Sequence, residues 1–185
     1  MFARTERLTL RPAWAEDAAA LAAAIGHAEV ARMLAQVPYP YTLADAELWT
    51  ALPRGADEPR FVIEAHDHPT ARGGRPVLVG GIGISDDDHL GYWLTPSAWG
   101  RGYATEAGRA VVEMARHALP ITRLRARHFA DNPASGRVLR KLGFRPAGTG
   151  ETHSAARSIA AADIEYVLDL DDRCAPRHDP MPIAA

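Results

Sequence analysis

One cysteine in 185 residues, Cys174, rules out an internal disulfide. It stands in a polar, proline-bearing stretch away from every motif, so no cysteine nucleophile is expected. Lysine is equally scarce: Lys141 is the only one, and arginine supplies the other cations. With a formal charge of -2 and a pI near 6.4, a broad basic surface is lacking, and nucleic acid is not an expected partner. No apolar run approaches the roughly 20 residues that span a bilayer. The opening MFARTERLTLRP carries charge where a signal peptide would be apolar, so a soluble cytoplasmic protein without a membrane partner is expected. Two phosphate-binding patterns are missing as well, GxxxxGK[ST] and GxGxxG.

What is present alternates between strand and helix signals. Arg4 to Arg11 alternates polar and apolar residues as a strand does. Trp14 to Ile25 is alanine-rich with acidic residues early, a helix stopped by Gly26, and a shorter helix is expected over Glu29 to Leu34. Thr42 reads as the N-cap of a helix to Leu52, with Asp45 closing a capping box. Strands are expected over Arg60 to Ala65, Val77 to Ser85 and His89 to Leu94. A long helix follows from Gly102 to Leu119, apolar at three- and four-residue spacing. Then come a strand Arg123 to Phe129, a helix Pro133 to Leu142 stopped by Gly143, and strands Phe144 to Ala147 and Asp163 to Leu170. The reading is a single mixed α/β (α+β) domain over 1–170, with a mobile tail at 171–185.

The segment Gly91 to Ala107, GYWLTPSAWGRGYATEA, carries the chemistry. A strand ends at Leu94, Pro96 breaks its ladder, and Gly100 and Gly102 precede a helix. Such a turn leaves the first helical N–H groups unpaired at the positive end of the helix dipole, and glycines let a bulky anion approach the backbone. It is a phosphate cradle. The competing reading is a tight strand-to-helix connection with no ligand.

This segment resembles the acyl-CoA motif of the GNAT N-acetyltransferases, [QR]-x-x-G-x-[GA], with Gly102 and Ala104 at its last two fixed positions. Trp99 stands where glutamine or arginine is usual. That departure resembles the branch that acetylates the N-termini of ribosomal and other proteins, where a Trp-Gly pair followed by GYATEA is common. The late DNPASGRVLRKLGF segment adds a second motif in the expected order, and the resemblance runs from Thr5 to about Leu170.

The resemblance implies a mostly antiparallel sheet of six to seven strands, a splayed central parallel pair, and helices on both faces. It implies acetyl-CoA as cosubstrate, with the pyrophosphate on the N–H groups of Gly100, Arg101, Gly102, Tyr103 and Ala104, next to Trp99. The pantetheine would pair with the strand around Leu94 and Thr95. Asn132 would lie beside the pantetheine while also capping its helix, and Ser135 near the sulfur as a candidate general acid. The tyrosine many relatives use as acid is replaced by Leu139. A base for the amine is sought among His89, Glu64, Asp86 to Asp88 and Glu165, with His89 the best placed. His66 and His68 have the i, i+2 spacing of paired ligands but no third partner, so no metal is expected. Trp14, Tyr39, Tyr41 and Trp49 either line an acceptor groove or pack in the core. The acceptor is an amine, either a peptide N-terminus or a small molecule, and a homodimer is implied. A non-catalytic acyl-CoA sensor built on the same cradle is the alternative.

Overall fold

The computed structural model describes residues 1–53, 55, 58–71, 73–85 and 87–170. Cys174, the expected tail and Asp86 lie outside the described residues. Among the described residues, eight strands form two sheets. The first has the order β1 (Ala3–Arg4), β2 (Leu8–Arg11), β3 (Arg60–Ala65), β4 (Val77–Ile84), β5 (Leu90–Leu94), all neighbours antiparallel. The second has the order β6 (Arg123–Phe129), β8 (Ile159–Asp169), β7 (Arg145–Ser154), again antiparallel. The sheets meet where β5 and β6 run side by side in parallel. There, among the described residues, the one bridge is His89 to Arg125, reinforced by the Arg125 N–H donating to the Asp88 carbonyl at 2.9 Å. Beyond it the two strands diverge. This is the splayed pair, with eight strands in place of the expected six to seven.

Among the described residues, five α-helices cover the sheets: α1 (Ala18–Ile25), α2 (Ala28–Ala31), α3 (Leu43–Ala51), α4 (Tyr103–Ala118) and α5 (Pro133–Lys141). The main core contains Leu8, Leu10, Phe61, Ile63 and Val79 from the first sheet and Leu124, Ala126 and Tyr166 from the second. Tyr103, Ala107, Val111, Val112 and Ala115 pack on it from α4, and Leu139 from α5. A smaller cluster of Ala13, Ala18, Leu21, Ala46 and Val62 fills the opposite face under α1 and α3. Fully burying one such aliphatic side chain stabilises by about 1.5–3 kcal/mol, so a residue like Val111 fixes the seat of α4.

Local chemistry sets the ends of these elements. Thr42 accepts the Asp45 N–H, and Asp45 accepts the Thr42 N–H, closing the capping box of α3. Asn132 caps α5 through the Ser135 N–H at 3.2 Å, with Pro133 in the first turn, and Gly143 ends the segment at φ 93°. Several readings need correction: the strand expected over Arg4 to Arg11 is broken into β1 and β2, and the strand expected from Asp163 begins at Ile159. The helix expected from Trp14 is a 3-10 turn, Ala15–Asp17, followed by α1, because the Asp17 carboxylate takes the Trp14 N–H and ties down the Arg11 guanidinium. The helix expected over Glu29 to Leu34 is only α2. The strand expected to stop at Ala147 continues to Ser154: Gly148 and Gly150 carry no strand signal, yet pair with Glu165 and Asp163.

Candidate active site

The divergence of β5 from β6 opens a cleft, and both strands hand over to a helix at the same end. After β5 come Thr95, a 3-10 turn at Pro96–Ala98, Trp99 and the glycine turn into α4. After β6 come Asp131, Asn132 and α5. Two helix N-termini thus begin at the C-terminal ends of parallel strands that have come apart, the position where open α/β sheets take ligands.

Gly100 and Gly102 have φ of 74° and 81°, a left-handed conformation that disfavours any side chain. Gly102 is itself the N-cap and brings no side chain to the first N–H groups of α4; a Cβ there would stand 3.5 Å from Arg7 Nη2. Tyr103 is fully buried, its ring packed into the core and its hydroxyl donating to Asp67 at 2.6 Å. Burial and the neighbouring Asp67 push its pKa up to about 12. Only its main chain is therefore placed to meet a ligand. Arg101 is exposed, with its Nε donating to the Ser97 carbonyl at 3.2 Å.

Glu106 in the first turn of α4 would repel an anion if it faced the glycine turn. It faces away. Its carboxylate accepts from the Thr5 hydroxyl at 2.6 Å, the Arg7 N–H at 2.9 Å and Arg7 Nε at 2.8 Å, between β1 and β2. Burial raises its pKa, but the hydrogen bonds from Thr5 and Arg7 outweigh this and leave it below the usual glutamate value. Arg7 also donates to the Arg101 carbonyl at 3.0 Å and lies over the Tyr103 ring at 5.0 Å, so it buttresses the turn. Nothing in its spacing from Glu106, 99 residues away, marks Arg7 in the sequence.

Trp99 is half exposed, and its indole N–H donates to the Leu94 carbonyl at 2.8 Å. The Thr95 N–H donates to Val79 and its carbonyl accepts from Ala98. The Leu94 carbonyl and both Thr95 main-chain groups are thus engaged within the chain.

Across the cleft, Ser135 sits half-buried in the first turn of α5. Its Oγ lies 2.7 Å from the Tyr92 hydroxyl of β5, which is also 3.1 Å from the Ser135 carbonyl. Tyr92 escaped the sequence reading because it belongs to a strand 43 residues away. Burial is the main cause that pushes its pKa up to about 12, against the lowering effect of the Ser135 bond. Leu139 is fully buried. Gly136 permits the close seat of α5, since a Cβ there would stand 2.6 Å from His128 Nε2.

The geometry does not favour His89 as a base. It lies at the closed end of the splay, five residues before Leu94, which is about 17 Å along an extended strand. Its Nε2 accepts from Arg127 Nη2 at 3.1 Å, and its Nδ1 lies 2.8 Å from Asp87 Oδ2, off the line of a good hydrogen bond. No lone pair is left free for a substrate proton. Glu64 is likewise held by Arg11 at 2.7 Å, and Asp87 accepts from the Ser85 hydroxyl at 2.6 Å. Glu165 remains exposed. Asp163, missed in the sequence, is 2 % exposed. Its Oδ2 accepts from the Thr152 hydroxyl, while Oδ1 has no partner. His66 and His68 bind separate hydroxyls, those of Thr9 and Thr70, and among the described residues no group of three His, Cys, Asp or Glu could hold a metal ion. Tyr41 and Trp49 pack on the smaller cluster, whereas Trp14 and Tyr39 stay half exposed.

Comparison with known proteins agrees with this arrangement. Residues 7–145 match the family described as the acetyltransferase (GNAT) domain. The chain is 31% identical over 153 residues to the uncharacterized N-acetyltransferase YoaA of Bacillus subtilis (strain 168), covering 78% of this chain and 82% of that one. Two solved structures share the fold at lower identity. The ribosomal-protein-S5-alanine acetyltransferase from Vibrio fischeri aligns with a TM-score of 0.73 at 18% identity, covering 93% of this chain and 98% of that one. The spermidine N-acetyltransferase from Vibrio cholerae, solved with CoA and spermine, gives 0.73 at 16%, covering 90% and 97%. With its splayed strands and the motif match spanning them, the chain belongs to the GNAT family of N-acetyltransferases.

Proposed function

We propose that acetyl-CoA occupies the cleft between β5 and β6, with its pyrophosphate on the main-chain N–H groups of Gly100, Arg101, Gly102, Tyr103 and Ala104. The observation that carries this reading is the pair of left-handed glycines opening α4 at the divergent end of the strands. The pantetheine lies along the open edge of β5, and the thioester reaches Asn132 and Ser135. Trp99 closes the end of β5 by satisfying Leu94, and Arg101, exposed beside the turn, meets a phosphate. The amine lone pair attacks the thioester carbonyl directly, the C–N bond forms, the C–S bond breaks, and the amine proton leaves to water. Positioning contributes most of the rate, with hydrogen-bond donors polarising the carbonyl.

The acceptor we favour is a peptide N-terminal α-amine. An α-amine of pKa near 7.7–8.0 is about a tenth neutral at pH 7, whereas a lysine-like amine of pKa 10.4 is neutral in only about one molecule in 2,500. A site whose candidate histidine lies at the closed end of the splay and accepts from Arg127 suits the acceptor that needs less help. A polyamine is the competing acceptor, supported by the spermidine enzyme's equal structural likeness. Acetyl transfer from acetyl-CoA to a panel of peptides, polyamines and aminoglycosides tests both. Turnover on peptides with free N-termini, lost when those are blocked, is the expected result. Turnover on polyamines alone would replace the peptide reading, and CoA binding without turnover on any amine would make the protein an acyl-CoA sensor.

A further inference from the structure

The bond between Tyr92 and Ser135 crosses the cleft, and direct attack by the amine alone gives it no role. A purely structural tie would be satisfied by the Ser135 carbonyl, 3.1 Å from the Tyr92 hydroxyl. The hydroxyl instead stands closer to Ser135 Oγ, at 2.7 Å, the usual separation of a well-formed O–H···O bond. Ser135 is held on two other sides. Its N–H is bound by the Asn132 side chain at 3.2 Å, and its backbone belongs to the first turn of α5. The phenol therefore fixes which way the serine hydroxyl turns.

One proton decides the direction. If Tyr92 donates to the carbonyl, the serine proton turns inward onto the phenol oxygen. If Tyr92 donates to Oγ, the serine proton is released toward the cleft. Negative charge arriving there selects the second arrangement.

We propose that Tyr92 is a positioning residue for the leaving group: it donates to Ser135 Oγ so that the Ser135 hydroxyl donates to the sulfur of departing coenzyme A. This deepens the acetyltransferase reading and rests on it. As the C–S bond breaks, the electron pair stays on sulfur, and the sulfur accepts a hydrogen bond from Ser135, which accepts one from Tyr92. Neither hydroxyl loses its proton. A thiol of pKa about 8.5 is a stronger acid than a phenol held near 12, so the chain shares its protons without surrendering them. The chain of two hydroxyls stands in for the tyrosine whose place Leu139 occupies in the core.

The test reads the sulfur itself, without an acceptor amine. Wild type, Tyr92→Phe and Ser135→Ala are each saturated with CoA, and the thiolate is titrated by its ultraviolet absorbance against the same protein bound to desulfo-CoA. Tyr92→Phe keeps the ring that packs on the core and removes only the hydroxyl. The wild-type complex is expected to show a CoA thiol pKa lower by about half a unit to one unit than either variant, with the two variants alike. CoA affinity at pH 7, where the thiol is protonated, should stay within about twofold in all three. In turnover, kcat should fall about tenfold in each single variant with KM for acetyl-CoA unchanged, and the double variant should fall no further. Equal thiol pKa values in wild type and Tyr92→Phe, or losses that multiply in the double variant, overturn the proposal while leaving the cleft assignment standing. Failure of the wild type to bind CoA overturns that assignment and the proposal with it.

Discussion

Trp99 replaces a glutamine or arginine expected at the head of the acyl-CoA motif, and its hydrogen bond explains how the substitution is accommodated. The indole N–H reaches back to the Leu94 carbonyl at 2.8 Å, satisfying a strand end that has no partner across the divergent cleft. Trp99→Phe keeps the ring and removes this donor. A net loss of about 0.5–1.5 kcal/mol in unfolding free energy is expected by denaturant titration, together with weaker CoA binding. Full stability and full affinity in that variant would reduce the indole to a surface aromatic. Gly102 makes the opposite kind of demand. At φ 81° any side chain costs about 1–2 kcal/mol of backbone strain, so Gly102→Glu lowers stability modestly as well as blocking the anion site. Its effect on binding must therefore be measured where the variant is shown by circular dichroism to be folded.

At the scale of elements, the clamp between α4 and the β1–β2 hairpin gives the protein a definite acid sensitivity. Glu106 has a folded pKa below its ordinary value of 4.5, set by burial against the stronger hydrogen bonds of Thr5 and Arg7. A depressed carboxylate contributes stability that is fully present above its unfolded value. That contribution is lost as pH falls through the lowered folded value. Glu106→Gln is expected to cost about 1–2 kcal/mol at pH 7 and to flatten the loss of stability on acidification below pH about 4.5, followed by thermal melts across pH. A wild-type-like acid limb in that variant would place the sensitivity elsewhere. At α5, Asn132→Ala removes the cap on Ser135 N–H and should cost about 1 kcal/mol.

These elements also show what a sequence reveals. Caps, glycine stops and the three-four spacing of α4 are written in neighbouring residues, so Thr42, Asn132 and Gly143 were all legible. Glu106 has the place of a local dipole partner in the first turn of its own helix, and nothing nearby in sequence points to its true partner 99 residues away. Tyr92, Arg7 and the pairing of β7 beyond Ala147 were hidden for the same reason: tertiary proximity leaves no periodic trace. The motif residues could be named before the fold was known, whereas whether each used its side chain or its backbone could not. Tyr103 shows the difference, since its ring is buried and only its main chain faces the turn.

The molecule as a whole is two antiparallel sheets hinged on one bridge, with a helix N-terminus on either side of the gap. A ligand that fills the gap replaces the missing strand pairing, so CoA should stabilise the fold with the logarithm of its concentration, by about 2.7 kcal/mol at a hundred times Kd. Amide hydrogen exchange should slow along β5 and at the starts of α4 and α5, with little change in α3. Protection confined to α3, or no protection, would separate CoA binding from the cleft. The most direct test of the central claim is calorimetric titration of CoA into wild type and folded Gly102→Glu. The account predicts saturable binding by the wild type and its loss in the variant, whereas equal affinity in the two proteins would contradict it.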